Sequence, residues 1–339
     1  MTSRIFPTFL ALLLSTFPAA ANDQRVLDFV ETCRTRLTDN RTLAGDADGW
    51  FFPTREIKQL SLGNFWEKPW AEVSRNQSDP VPSMIEFHQL LAEKNVKLLI
   101  VPVPAKATIY PGKFAGHFAP GEAQGISPFM ENLRKQGLNV VDLEPLFLEM
   151  RTHSTEKLWC AQDAHYSPAA CVKIADLVAD ILESEFGMER HKNTTLCRSE
   201  AEEISILGDL VAYSEWQKST PQEIVNVQYV SRENPLQSNA ESPVLLLGDS
   251  HALVFSDAEN FHCESAGLFD HLSAAMGSAI DLEGSASGGL VTSRINLYRK
   301  AVNTPGYWDR KKAVVWVFTA REFTQSSFTR GFVSIPIER

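Results

Sequence analysis

Three short apolar runs set the frame of this chain. Val96–Val103, Pro243–Leu247 and Ala313–Phe318 are almost uninterrupted by polar residues. That pattern predicts strands buried on both faces of a parallel sheet. Stretches with helical spacing lie between them. Residues 23–37, Met84–Lys94, residues 122–136 and Gly289–Val302 predict helices, and Asn139–Leu143 a further strand. Ser167-Pro168 opens another helix, continued by Ile174, Leu177, Val178 and Ile181. Asp46 to Phe52 predicts a turn entering a strand, and residues 53–83 are rich in turn formers and aromatics. Residues 187–242 are polar and irregular and predict an insertion with its own strands around Val225–Val230. The alternation of strand and helix predicts one α/β domain with a mostly parallel sheet, covering 22–339.

The N-terminus has a different character. Arg4, the apolar stretch Phe9–Phe17 and Ala19-Ala20-Ala21 compose an export signal over residues 1–21, with a cleavage site before Asn22. An uncleaved anchor is the alternative. Export predicts a periplasmic protein, and an oxidising compartment predicts one or two disulfides among Cys33, Cys160, Cys171, Cys197 and Cys263. Cys160 and Cys171 bracket a loop that a bridge would pin. A net charge of −10 argues against a nucleic-acid partner. Neither a C-x-x-C pair nor a histidine cluster with metal-ligand spacing occurs, so no metal or cofactor is expected.

The chemistry concentrates in two segments. Gly248-Asp249-Ser250-His251 follows the Val244 strand, which places a serine hydroxyl at the carboxyl edge of the sheet, entering a helix. Asp163-Ala164-His165 puts a carboxylate and an imidazole two residues apart. Nucleophilic acyl transfer needs such parts: Ser250 as nucleophile, His165 as general base and Asp163 to orient it. The plain alternatives are that Asp249 or Ser250 caps a helix and that Asp163 caps a turn. His251 is the main rival base because it adjoins Ser250. Gly288 and Gly289 are candidate backbone donors to an oxyanion, or simply a helix start. Lys106, Arg294 and Arg321 lie after strands or on a helix near the same edge and are candidate glycan contacts, against a default of solvated charge. Trp50, Phe51, Phe52, Trp66 and Trp70 offer rings for sugar stacking, though core packing suits most of them better.

An ordered set of motifs is more specific than any one of these. The set runs Asp48-Gly49-Trp50-Phe51-Phe52, Val101-Pro102-Val103-Pro104-Ala105-Lys106 with Ile109-Tyr110-Pro111, and Asp163-Ala164-His165-Tyr166. It continues with Leu247-Gly248-Asp249-Ser250, Ser287-Gly288-Gly289, and Val314–Phe318 leading to Arg321-Glu322. Across roughly 45–325 the chain resembles the alginate O-acetyltransferase family (AlgX/AlgJ-type), whose catalytic domain is SGNH-hydrolase-like. That resemblance implies a three-layer α/β fold, Ser250 as nucleophile, and His165 and Asp163 as its partners. It also implies transfer of acetyl to an exported polysaccharide such as alginate, and a membrane-bound acyltransferase as donor partner. In common SGNH esterases the serine block precedes the Asp/His block; here the order is reversed, as in the acetyltransferases. His251 departs from the small or aromatic residue expected after the serine. The chain also ends soon after the last strand, without a clear carbohydrate-binding module. The readings left open are a carbohydrate esterase with the same residues and a non-catalytic glycan-binding component of a secretion complex.

Overall fold

The computed structural model of the protein describes residues 19–192, 195–286, 289–326 and 335–338. Most of the predicted signal segment, and Ser287 and Gly288, therefore lie outside the described residues. In chain order the described strands are β1 (Thr42–Ala44), β2 (Phe51–Pro53), β3 (Lys97–Val103), β4 (Asn139–Val140), β5 (Glu202–Ile206), β6 (Glu223–Val227), β7 (Val244–Gly248), β8 (Asp281–Gly284) and β9 (Ala313–Thr319). Five of them form one all-parallel sheet in the order β4-β3-β9-β7-β8. The three apolar runs are its three inner strands, as continuous burial on both faces requires.

Each face of the sheet carries its own layer. Leu99, Val101, Leu246, Val315 and Val317 pack under the helices Leu143–His153, Pro168–Ser184 and Leu268–Met276. Ile100, Leu245, Leu247, Trp316 and Phe318 pack under Val81–Glu93, Ser127–Lys135 and Gly289–Asn303. The result is the expected three-layer α/β fold.

Counted cyclically from β7, the sheet reads 2-1-3-4-5, the order of doubly wound flavodoxin-like sheets. The chain simply starts after the first three members of that count. The reversed order of the base and serine segments follows directly: residues 163–165 come after the last strand of the count, and Ser250 after the first. Ligand crevices form where strand order reverses, which here lies between β7 and β9.

Several expectations shift. The helix expected after Ser250 is one short 3-10 turn, Ser250–Ala252. Phe255 lies in the left-handed region (φ 63°), which a helix cannot continue through. The next helix starts only at Leu268. The strand expected over Asn139–Leu143 shortens to two residues, because Asp142 accepts from the Glu144 N–H and starts a helix. The irregular 187–242 region contains β5 and β6, which pair antiparallel as a hairpin with residues 207–222 between them. The expected disulfides do not form: no disulfide joins the described cysteines. Cys33, Cys160 and Cys171 are each buried in the core layer with the helix Pro168–Ser184, and that burial pushes their thiols up. Among the described residues, no helix is long and apolar enough to cross a membrane.

Candidate active site

β7 ends at Gly248, where the backbones crowd. A Cβ there would meet the Val317 carbonyl at 2.5 Å and the Ala252 Cβ at 2.7 Å, so only glycine fits. Asp249 then fixes the strand end in two directions. Its Oδ1 accepts from the His251 N–H at 2.9 Å and its Oδ2 from the Thr319 N–H of β9 at 2.8 Å. Ser250 is left half-buried at the mouth of the crevice.

The partner segment is held as firmly. The Ser167 hydroxyl accepts from Ala170 N–H and caps the helix Pro168–Ser184, and Ser167 N–H donates to the Leu158 carbonyl at 2.9 Å. The Tyr166 hydroxyl donates to the His251 carbonyl, tying the two segments together. Beneath them is Lys106, fully buried, whose Nζ donates to the carbonyls of Phe51 (2.6 Å), Ala161 (2.8 Å) and Asp163 (3.0 Å). Lys106 was expected to face a glycan; instead it has no exposed surface and knots three backbone segments together. Burial lowers its ammonium to about 8, against the opposing pull of nearby acids such as Glu223.

These supports bring three side chains into line. Ser250 Oγ lies 2.7 Å from His165 Nε2, and His165 Nδ1 lies 2.5 Å from Asp163 Oδ1. A hydroxyl–imidazole–carboxylate line of this geometry can withdraw the hydroxyl proton as its oxygen attacks an acyl carbon. Burial alone would lower the His165 imidazole, but the Asp163 charge and hydrogen bond outweigh it, and its affinity for a proton is raised. Burial would raise the Asp163 carboxyl, yet His165 and His262 hold it well below the usual range.

Asp163 has partners the sequence does not suggest. Its Oδ2 faces His262 Nε2 at 2.9 Å and accepts from the Asp209 N–H at 2.9 Å. Asp209 in turn accepts from the Ala164 N–H at 2.8 Å. No motif flags either residue: His262 sits in an irregular segment, in the left-handed region at φ 56°, and Asp209 lies between β5 and β6. Asp163, His165 and Asp209 also place ligand-type atoms within 4.8 Å of one another. All three are engaged in the hydrogen bonds just described.

His251, the rival base, points elsewhere. Its Nδ1 lies 3.2 Å from Asp249 Oδ1, its ring is buried, and burial lowers it despite the Asp249 charge. It packs 4.8 Å from the His165 ring and 5.0 Å from Tyr166.

A cleft of about 570 Å³ opens over Ser250. Arg321 and Gly289 line it together with Arg41 and Arg55. Arg321 pairs with buried Glu56 at 3.3 Å, and Arg55 with buried Glu322 at 3.6 Å. Gly289 has φ 63°, and a Cβ there would meet the Glu322 carboxylate at 2.2 Å. Arg294 is a correction: it is buried in the opposite layer, its guanidinium 3.3 Å from the Phe87 ring centre and donating to the Ile335 carbonyl. The inward face of its helix packs under the sheet, and burial lowers it to about 9. Of the ring set, Trp50, Phe51 and Phe52 are buried, and Trp66 and Trp70 pack against Phe65 and Phe129.

Comparison with known proteins agrees with this architecture. No curated protein matches the sequence. Among solved structures, the O-acetyltransferase domain of Pseudomonas putida AlgJ superposes with TM-score 0.61 at 17% identity, over 84% of this chain and 92% of that one. Pseudomonas aeruginosa AlgX superposes with TM-score 0.59 at 16% identity, over 86% of this chain and 64% of that one. Bacillus cereus PatB1, solved with a sulfonyl adduct, superposes with TM-score 0.51 at 12% identity, over 86% of this chain and 99% of that one. At these identities the likeness establishes the fold. The family model described as "SGNH hydrolase-like domain, acetyltransferase AlgX" matches residues 43–287, most of the sequence, and the chain belongs to that family.

Proposed function

We propose that this protein is an exported polysaccharide O-acetyltransferase that carries the acetyl group on Ser250. The observation that carries the reading is the unbroken line Ser250 Oγ–His165 Nε2 (2.7 Å) and His165 Nδ1–Asp163 Oδ1 (2.5 Å) at the switch point of the sheet. Neutral His165 takes the Ser250 proton as Oγ attacks the acetyl carbonyl of a donor ester. The tetrahedral intermediate collapses, the donor oxygen leaves with the proton from His165, and an acetyl-serine remains. A sugar hydroxyl then enters, gives its proton to the same Nε2 and attacks the acetyl carbon. His165 returns the proton to Ser250 as the acetylated sugar leaves. Asp163 keeps the Nε2 lone pair aimed at the hydroxyl and offsets the imidazolium charge. The Ser250 N–H, with Gly288 or Gly289, supplies the oxyanion donors.

Family membership supports acetyl transfer, and the likeness to AlgJ and AlgX supports an exopolysaccharide acceptor, with alginate the leading candidate. Arg41, which lines the cleft and forms no ion pair among the described residues, suits an acidic polymer in a protein of net charge −10. The predicted signal supports a periplasmic location, where a membrane-bound acyltransferase would deliver the acetyl group. The test incubates the purified protein with an acetyl ester and an alginate oligosaccharide and reads the sugars by mass spectrometry. Acetylated oligosaccharide is expected, and it should vanish in Ser250→Ala. Free acetate alone, with no acetylated sugar, would overturn the transferase reading in favour of an esterase.

A further inference from the structure

The cleft over Ser250 continues beyond the serine. Arg41 and Tyr213 line both it and a second concavity of about 380 Å³, whose far side is formed by Glu215 and Trp216. Tyr213 is 80% exposed, more than any other large hydrophobic side chain among the described residues. The Trp216 indole is braced on its inner side by Phe51, with ring centres 5.2 Å apart. The Ser214 hydroxyl accepts from the Trp216 N–H and fixes the turn that carries both rings. Arg41 is exposed and forms no ion pair with a carboxylate among the described residues, whereas Arg55 and Arg321 are paired. Glu215 is the one carboxylate lining the concavity, and as an acceptor it suits sugar hydroxyls.

An exposed tyrosine ring and a half-buried indole beside an unpaired guanidinium match one ligand chemistry. The C–H face of a pyranose covers apolar area on an aromatic ring, and a planar guanidinium grips a carboxylate in two-pronged fashion. The surface is also held in register with the reactive serine. Asp209 N–H donates to Asp163 Oδ2, and Leu210 N–H to the Gln162 carbonyl, docking the 207–222 segment onto the catalytic loop. Lys106 bonds the carbonyls of both Phe51, under Trp216, and Asp163.

We propose that Arg41, Tyr213 and Trp216 form a distal subsite that binds a carboxylate-bearing sugar ring of the acceptor polymer, away from the ring that meets Ser250. The proposal rests on the polysaccharide-acceptor reading, but its test does not require transfer to occur. Ser250→Ala protein is titrated calorimetrically with a uronate octasaccharide and with a neutral glucan octasaccharide. Tighter binding of the uronate is expected. Added Tyr213→Ala or Arg41→Ala should weaken it about tenfold, with Tyr213→Phe restoring affinity and melting temperatures unchanged. Unchanged affinity in Tyr213→Ala, or no binding of the uronate at all, would overturn the subsite. Equal binding of the neutral glucan would overturn the carboxylate assignment. Failure of acetyl transfer by the intact enzyme, with binding preserved, would instead count against the transferase reading alone.

Discussion

The chain contains two Asp-x-His units, Asp163-Ala164-His165 and Asp249-Ser250-His251, with the same local geometry and different settings. In both, the aspartate Oδ1 accepts from the histidine N–H at 2.9 Å. The imidazole contact then differs: Nδ1 lies 2.5 Å from Asp163 but 3.2 Å from Asp249. The second oxygen of Asp163 takes a second histidine and the Asp209 N–H, whereas that of Asp249 fastens β7 to β9. Both rings lose solvation on burial. Only at His165 does the carboxylate overcome that loss, so the two imidazoles shift in opposite directions. The motif alone therefore does not make a base; the carboxylate's distance and the ring's access to a hydroxyl decide it.

Substitutions can break this contrast. The largest effect belongs to the reacting line: Ser250→Ala and His165→Ala should each lower kcat by about 10⁴-fold or more, and the double variant by little more than either alone. Steady-state kinetics on an acetyl ester measures this. Asp163→Asn should cost about 10³ to 10⁴ in kcat, because the imidazole loses its orienting charge. Asp249→Asn should lower the melting temperature, through the weakened Thr319 contact, while costing no more than about tenfold in kcat, the scale of a repositioned group. Equal kinetic losses in the two would erase the distinction. His262→Phe should reduce kcat about tenfold by leaving a buried Asp163 oxygen short of a donor, a defect worth roughly 1–3 kcal/mol. His262→Gln should restore much of it.

The smallest effect is on the pH profile. The proposed reaction needs neutral His165, whose folded value lies above the ordinary 6.5. Activity should therefore fall as pH drops through a midpoint above 6.5. Asp163→Asn should move that midpoint down, since burial then acts with less opposition. His251→Asn should leave it in place. A midpoint that follows His251 instead would reverse the assignment of the two units.

What the sequence made legible follows from local physics. Continuous apolar runs exposed the three inner strands, and a strand ending in Gly-Asp-Ser pointed to the crevice. The hidden parts depend on contacts across long stretches of chain. Lys106 reads as a charge at a strand end, yet three carbonyls from distant segments and the Trp50 and Phe52 rings, 5.3 and 5.2 Å away, surround it. Arg294 reads as a cation near the glycines, but the helical period turns it inward onto Phe87. His262 reaches Asp163 from 99 residues away, a pairing no local pattern encodes. The reversed order of the base and serine segments was visible in the sequence, and its cause, the cyclic shift of the strand order, emerged only from the sheet.

The central claim is that Ser250, poised by His165, carries the acetyl group. Rapid mixing of the protein with an activated acetyl ester, acid quenching and peptide mapping by mass spectrometry test it directly. One acetyl group on the peptide containing Ser250 is expected, absent in His165→Ala and discharged on adding acceptor oligosaccharide. Acetyl transfer that proceeds at the normal rate with no label on Ser250, or with label on another residue, would contradict it.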